Sequence, residues 1–248
     1  MNLLIRQATL VTVDAGDRVL ENADLAIAGD KIAGVGAAPP GFVPDRVIDG
    51  ADRIVLPGLI NTHTHLSMTL MRNYADDLAF WPWLMERVKP LEDHLVPQDV
   101  RIGARLGLAE LIRGGTTCFH DMYFELDQVA DEVARTGVRA RLCGALFDNA
   151  GQGEKLLRAA VDLHENWHGA AAGRVTVGLA PHSAYLCSPA YLREILSEAE
   201  RLKCGLHIHV AETEREVGES RERFGLTPVQ HLAELGCFAV PTVAAHGI

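Results

Sequence analysis

Apolar and polar positions change rhythm once along the chain. In residues 1–57 the apolar residues come in short alternating runs: 3–5, 8–13, 24–27 and 32–35. Alternation with period two predicts strands, and Gly29-Asp30 between the last two runs predicts a hairpin turn. The proline-rich stretch 37–44 reads as a loop. After Pro57-Gly58 the pattern becomes strand then helix, repeated.

The helices carry start and stop signals. Residues 97–115 place Val100, Leu106, Ala109, Leu111 and Ile112 ahead of a double glycine. Ser188-Pro189 suit the N-cap and first helical positions, Leu192, Ile195, Leu196, Ala199 and Leu202 form one stripe, and Gly205 is the expected stop. Thr227-Pro228 and Gly236 bracket another helix in the same way. Between the helices lie six β-like runs, at 59–62, 116–119, 138–142, 175–179, 206–210 and 242–245. Strands alternating with helices imply parallel βαβ units. The expected fold class is therefore α/β: a (β/α)8 TIM-like barrel over residues 58–248, with about six of its βα units present, since a closed barrel needs eight. Residues 1–57 are expected to form the N-terminal half of a small β-sandwich domain. The last run reaches the C-terminus with no helix after it, so the chain is expected to be a C-terminally truncated piece of a longer protein.

Composition narrows the function. With 48% hydrophobic and 23% charged residues and a mean hydropathy of +0.07, the 248 residues suit a soluble globular protein with a large core. A net charge of −10 argues against nucleic acid or an anionic membrane as partner, while leaving a small nucleoside open. No apolar run has the length of a membrane span, and residues 1–14 have no signal-peptide core. Cys118, Cys143, Cys187, Cys204 and Cys237 are scattered without a Cys-x-x-Cys, as reduced thiols of a cytoplasmic protein would be. A homo-oligomer is compatible with this composition.

The strongest chemical signal is His63-Thr64-His65 at the end of the first barrel run. Residues two apart on a strand share a face, so both imidazoles point into the barrel at the end where such enzymes keep their sites. Two imidazoles there can share a metal ion. His182, His209 and His246 follow later runs at the same relative point, and Glu212 lies just beyond His209. Neutral imidazoles with an open position lower the pKa of a metal's water, a carboxylate such as Glu212 then shuttles protons, and His246 can orient the nucleophile. His207 sits one layer deeper and reads as a hydrogen-bonded core histidine. His120-Asp121, read as the end of the second run, divides evenly between support of the site and plain structure.

Two other metal patterns were weighed. His164-Glu165-Asn166-Trp167-His168 matches H-E-x-x-H, the helical zinc-protease pattern. The glycine break at 169–173 and the stripe Leu156, Ala160, Leu163 and Trp167 favour an outer barrel helix instead. The zinc-deaminase pattern with Pro-Cys-x-x-Cys is excluded, because no Cys-x-x-Cys exists.

Residues 57–65, Pro-Gly-Leu-Ile-Asn-Thr-His-Thr-His, resemble the opening of the amidohydrolase superfamily. Residues 68–77 with Trp83, and the stretches 115–123, 180–188 and 209–213, resemble more closely its 5'-methylthioadenosine/S-adenosylhomocysteine deaminase branch, across essentially the whole chain. Chlorohydrolases and other ring aminohydrolases of that branch share several of these motifs. The resemblance implies one divalent metal, zinc being the expected ion, bound by His63, His65 and His209. It implies Glu212 as proton shuttle and substrate contact, His246 beside the attacking water, and Trp83, Glu92 and His182 as nucleoside-binding. The run 175–179 contains no lysine, so the carbamylated lysine of binuclear relatives has no counterpart there, which favours one metal. Homocysteine-binding members hold the amino-acid carboxylate with two arginines. Here Gly144 stands at the first, and Lys155, expected in a glycine-rich loop, is the only cation near the second. The implied substrate shifts towards 5'-methylthioadenosine or adenosine. The family's fourth ligand, an aspartate, would lie beyond residue 248, and an inactive fragment lacking it is the alternative reading of the 248-residue chain.

Overall fold

The computed structural model describes residues 1–149 and 151–248. The chain divides into two compact units, Met1–Gly58 and Leu59–Ile248.

The first unit is one mixed five-stranded sheet. β1 (Asn2–Val11) pairs antiparallel with β2 (Val19–Ala28), and β2 with β3 (Lys31–Gly36). The short β4 (Arg46–Asp49) and β5 (Ile54–Val55) run parallel to β1 along its other edge. The two alternating runs 3–5 and 8–13 are a single strand, interrupted by register shifts around Ala8. The interruption breaks the alternation, which is why the sequence reads as two pieces. The Gly29-Asp30 turn forms between β2 and β3 as expected.

The second unit has six parallel strands in the order β11-β10-β9-β8-β7-β6. They are β6 (Leu59–Thr64), β7 (Thr116–Tyr123), β8 (Arg139–Leu146), β9 (Val175–Pro181), β10 (Leu206–Val210) and β11 (Thr242–His246). All six lie where the apolar runs predicted them, and several extend further at their C-terminal ends. The connecting helices are α1 (Pro97–Arg113), α2 (Leu126–Thr136), α3 (Gly153–Trp167), α4 (Pro189–Leu202), α5 (Glu214–Phe224) and α6 (Pro228–Glu234). Their buried stripes, such as Leu192, Ile195 and Ala199 of α4, pack with sheet residues Leu179, Leu206 and Ile208 into one core. No helix among the described residues is long and apolar enough to cross a membrane. This is the build of a (β/α) barrel in which β6 and β11 occupy the two edges of the sheet. Those edge strands nevertheless bring His63 and His246 to 5.3 Å between ring centroids, so the sheet is strongly curled.

Local chemistry fixes the ends. The Ser188 hydroxyl accepts from the Tyr191 N–H (3.2 Å), and Thr227 with Gln230 completes a capping box at α6. Gly205 is not the stop of α4: Lys203, in the left-handed region (φ 53°), is the C-cap. A Cβ at Gly205 would run into the Pro241 carbonyl oxygen. That glycine serves the close approach of β10 to the start of β11.

Candidate metal centre

The site grows from the C-terminal ends of β6, β10 and β11. β6 is an edge strand with Leu59 and Ile60 exposed, yet its end is tightly fixed. Asp121, fully buried on β7, accepts from the Leu66 N–H (2.7 Å) and the Thr64 hydroxyl (2.9 Å). Burial raises its carboxyl to about 7. The following 3-10 turn, Leu66–Met71, lies against α1 because Gly103 and Gly107 have no Cβ, which would otherwise meet the Ser67 backbone and the Leu66 side chain. The Ser67 and Thr69 hydroxyls then donate to the Val100 and Gly103 carbonyls. β7 continues to Tyr123, so His120 and Asp121 sit inside the strand rather than at its end. Asp121 therefore shapes the backbone of the His63-Thr64-His65 segment.

Four imidazoles meet above these strands. His63 lies 4.9 Å from both His65 and His209 and 5.3 Å from His246, between ring centroids. One ring nitrogen from each of His63, His209 and His246 falls within 4.8 Å of the other two. His65 adds its Nε2 at 3.3 Å from the Nε2 of His209. The other nitrogens of these last two rings are committed: His65 Nδ1–H donates to the Met122 carbonyl (2.7 Å), and His209 Nδ1–H to the His182 carbonyl (2.9 Å). Carbonyl oxygen accepts only, so in the neutral rings both Nε2 atoms carry lone pairs and face each other with no proton between them. Burial pushes the pKa of both rings down, which disfavours the protonated form that would relieve that contact. His63 is pushed down to about 4, by burial first and then by its histidine neighbours. Neutral imidazoles converging lone pair to lone pair suit a cation of the zinc type.

The predicted acid/base lies beside them. Glu212 Oε1 is 3.5 Å from His246 Nε2, and burial raises its carboxyl above the ordinary range, towards what proton transfer at neutral pH requires. His246 has φ 74°, a left-handed backbone that turns its ring at the end of β11. The loop carrying Glu212 is held by Glu216, 2% exposed, whose carboxylate accepts from the Ala211 (3.2 Å) and Glu212 (2.8 Å) N–H groups. Sequence reasoning did not single out Glu216. Its signal was Thr213-x-x-Glu216, the spacing of a helix capping box, and Thr213 does cap α5.

The expected nucleoside contacts converge on one cleft. His65, His209 and Glu212 form one wall, with Met68, Trp83, Glu92 and His182 around them. Glu92 is half-buried and accepts from the Tyr123 hydroxyl (2.8 Å); burial raises its pKa, with that hydrogen bond opposing. Tyr123 is a second residue that sequence reasoning missed, since an aromatic strand end gives no polar signal. A larger adjoining cavity of about 570 Å³ shares Glu92, Tyr123 and His182.

One expectation needs correction. Lys155 is not in a loop: it is exposed in the first turn of α3. A Cβ at Gly144 would lie 3.4 Å from the Ala160 Cβ of α3, so a longer side chain there starts towards the helix layer. The H-E-x-x-H pair belongs to α3 and its C-cap. The rings of His164 and His168 lie 4.4 Å apart between centroids, tilted by 30°, and the Val177 N–H donates to His168 Nδ1 (3.2 Å). Among the described residues neither joins the cluster at the strand ends.

The chain is 45% identical to a 5-methylthioadenosine/S-adenosylhomocysteine deaminase of Caldanaerobacter subterraneus, over 99% of this chain and 57% of that protein. An adenosine deaminase from Xanthomonas campestris with bound zinc superposes with a TM-score of 0.90 at 31% identity, over 98% of this chain and 56% of the other. An atrazine chlorohydrolase from Arthrobacter aurescens complexed with zinc gives a TM-score of 0.90 at 26% identity, over 99% and 61%. The chain thus spans little more than half the length of the relatives it matches. The amidohydrolase family model matches residues 54–248, which include the whole histidine cluster, and the chain belongs to the amidohydrolase family.

Proposed function

We propose that the protein hydrolytically deaminates an adenine nucleoside, with one zinc ion held by His63, His65 and His209. The observation that carries this reading is the pair of unprotonated Nε2 atoms of His65 and His209, 3.3 Å apart, with Glu212 at the same cleft. A divalent cation at this point supplies Lewis acidity that makes water nucleophilic at neutral pH. Glu212 would take one proton from the attacking water and pass it to the ring nitrogen beside C6, and would then carry the second, from the new C6 hydroxyl, to the leaving amine. His246 Nε2, beside Glu212, orients the attacking oxygen. The C6–O bond forms, the C6–N bond breaks, and ammonia leaves with the inosine analogue as product. Trp83 and Met68 cover the apolar part of the substrate. Glu92, with one oxygen engaged by Tyr123, keeps the other for a sugar hydroxyl. His182 lines both chambers, where the nucleoside would pass.

The charges favour a substrate without a carboxylate. Lys89 lines the larger cavity but is paired with Asp93, in a lining that also holds Glu92 and Glu125, and Lys155 is exposed on α3. A carboxylate stripped of water there finds no bidentate partner. 5'-Methylthioadenosine or adenosine fits better than S-adenosylhomocysteine. The higher identity to deaminases supports ammonia rather than chloride as the leaving group. Five free thiols are in keeping with a cytoplasmic protein. The test is ammonia release and loss of adenine absorbance with the three nucleosides, alongside elemental analysis. Turnover of none of them by zinc-loaded protein spanning the full length of its relatives overturns the substrate class.

A further inference from the structure

The three histidines proposed as metal ligands are not supported alike. Backbone carbonyls fix the tautomers of His65 and His209, because a carbonyl only accepts. His63 has no such partner: its Nδ1 lies 2.8 Å from Nε2 of His207, another imidazole. An imidazole nitrogen can donate or accept, so the contact admits two arrangements. If His63 Nδ1–H donates, His63 Nε2 carries a lone pair and is free to bind a cation. If His207 Nε2–H donates, His63 Nε2 is protonated and cannot. The first arrangement requires the Nδ1–H tautomer of His207.

His207 is fully buried on β10, and its Nδ1 has no hydrogen-bond partner among the described residues. A buried unsatisfied ring nitrogen is costly, and one retained beneath a binding site calls for an explanation. His207 shares the barrel-facing side of β10 with His209, two residues on, so the strand puts one ring at the cluster and the other directly beneath His63. We propose that His207 is a positioning residue: its Nε2, 2.8 Å from His63 Nδ1, is the acceptor that holds His63 in its metal-binding tautomer. This rests on the metal reading above. The coupling has a direct consequence: any fraction of the protein holding the other tautomer is not competent to bind, and lowers the apparent affinity in proportion. Bound metal, in turn, fixes both rings in one arrangement.

The experiment measures zinc dissociation constants by chelator competition for the unaltered protein, His207→Leu and His207→Gln. Two-bond proton–nitrogen spectra of the histidines are recorded in the zinc-loaded unaltered protein. His207→Leu removes the acceptor and should weaken zinc by about 10–100-fold, as loss of such a supporting partner does. His207→Gln can present a carbonyl oxygen near the former Nε2 and should restore affinity to within a few-fold. The spectra should show both His63 and His207 protonated at Nδ1. A His207 protonated at Nε2 in the loaded protein, or unchanged zinc affinity in His207→Leu, overturns the proposal. So does a Gln variant no better than Leu. If His207→Leu does not fold, the Gln variant and the spectra still decide. An unaltered protein that takes up no zinc overturns the metal reading and this inference with it. Uptake that needs His63 but ignores His207 overturns this inference alone.

Discussion

The end of β6 and the end of α3 each present two histidines on one face, and only one pair is in a position to bind metal. His63 and His65 are two apart at a strand end; His164 and His168 are four apart at a helix end. Both spacings place two imidazoles side by side. What differs is the company. The β6 pair meets His209 and His246 from two other strands, while among the described residues the α3 pair is joined by no further metal-ligating side chain. Parallel strands of a curled sheet deliver their ends to one place, whereas the ends of helices outside that sheet are spread around it. A local spacing supplies at most two ligands, and a closed metal site needs more.

Breaking the pairs separately gives the largest contrast. His63→Ala or His209→Ala should leave the purified protein essentially without zinc, whereas His164→Ala should retain full metal content, as read by elemental analysis. Full occupancy in His63→Ala, or loss in His164→Ala, would reverse the assignment. Next in size, Glu212→Gln should keep fold and metal but lower kcat by about 10²–10⁴-fold, because the amide keeps the shape and cannot carry the proton. Activity within a few-fold of the parent removes Glu212 as the shuttle. The cleft itself is sharpened by comparing nucleosides. kcat/KM for 5'-methylthioadenosine or adenosine should exceed that for S-adenosylhomocysteine by about tenfold or more, a difference of about 1.4 kcal/mol. A clear preference for S-adenosylhomocysteine would show that its carboxylate has a partner outside the residues considered. The smallest effect belongs to the α3 pair. His164 Nε2 is buried without a partner, so His164→Leu should change the unfolding free energy by no more than about 1 kcal/mol, towards greater stability. Denaturant unfolding measures it, and a loss of several kcal/mol would mean that the ring holds a contact not described here.

Much of this was decided locally and so could be read from the chain. The six barrel strands, the Ser188 and Thr227 caps and the Gly29-Asp30 turn depend on periodicities and hydrogen bonds within a few residues. His63, His65, His209, Glu212 and His246 could be placed at one end of the sheet for a related reason: each lies at or just beyond the end of a strand, and parallel strands bring their ends together whatever lies between. Other features depend on contacts between distant residues and carry no local mark. Asp121 holds the end of β6 from the middle of β7, and Tyr123 braces Glu92 from 31 positions away. Gly205 looks like a helix stop, yet what it admits is the Pro241 carbonyl of the next strand's approach. The support of His63 by His207, across 144 positions, is of the same kind. The sequence by itself determined which residues reach the mouth of the sheet, because strand period and strand direction are local properties. Only the tertiary structure decided how each ring is turned and which of its nitrogens is free, because that depends on the acceptors the neighbouring strands happen to present.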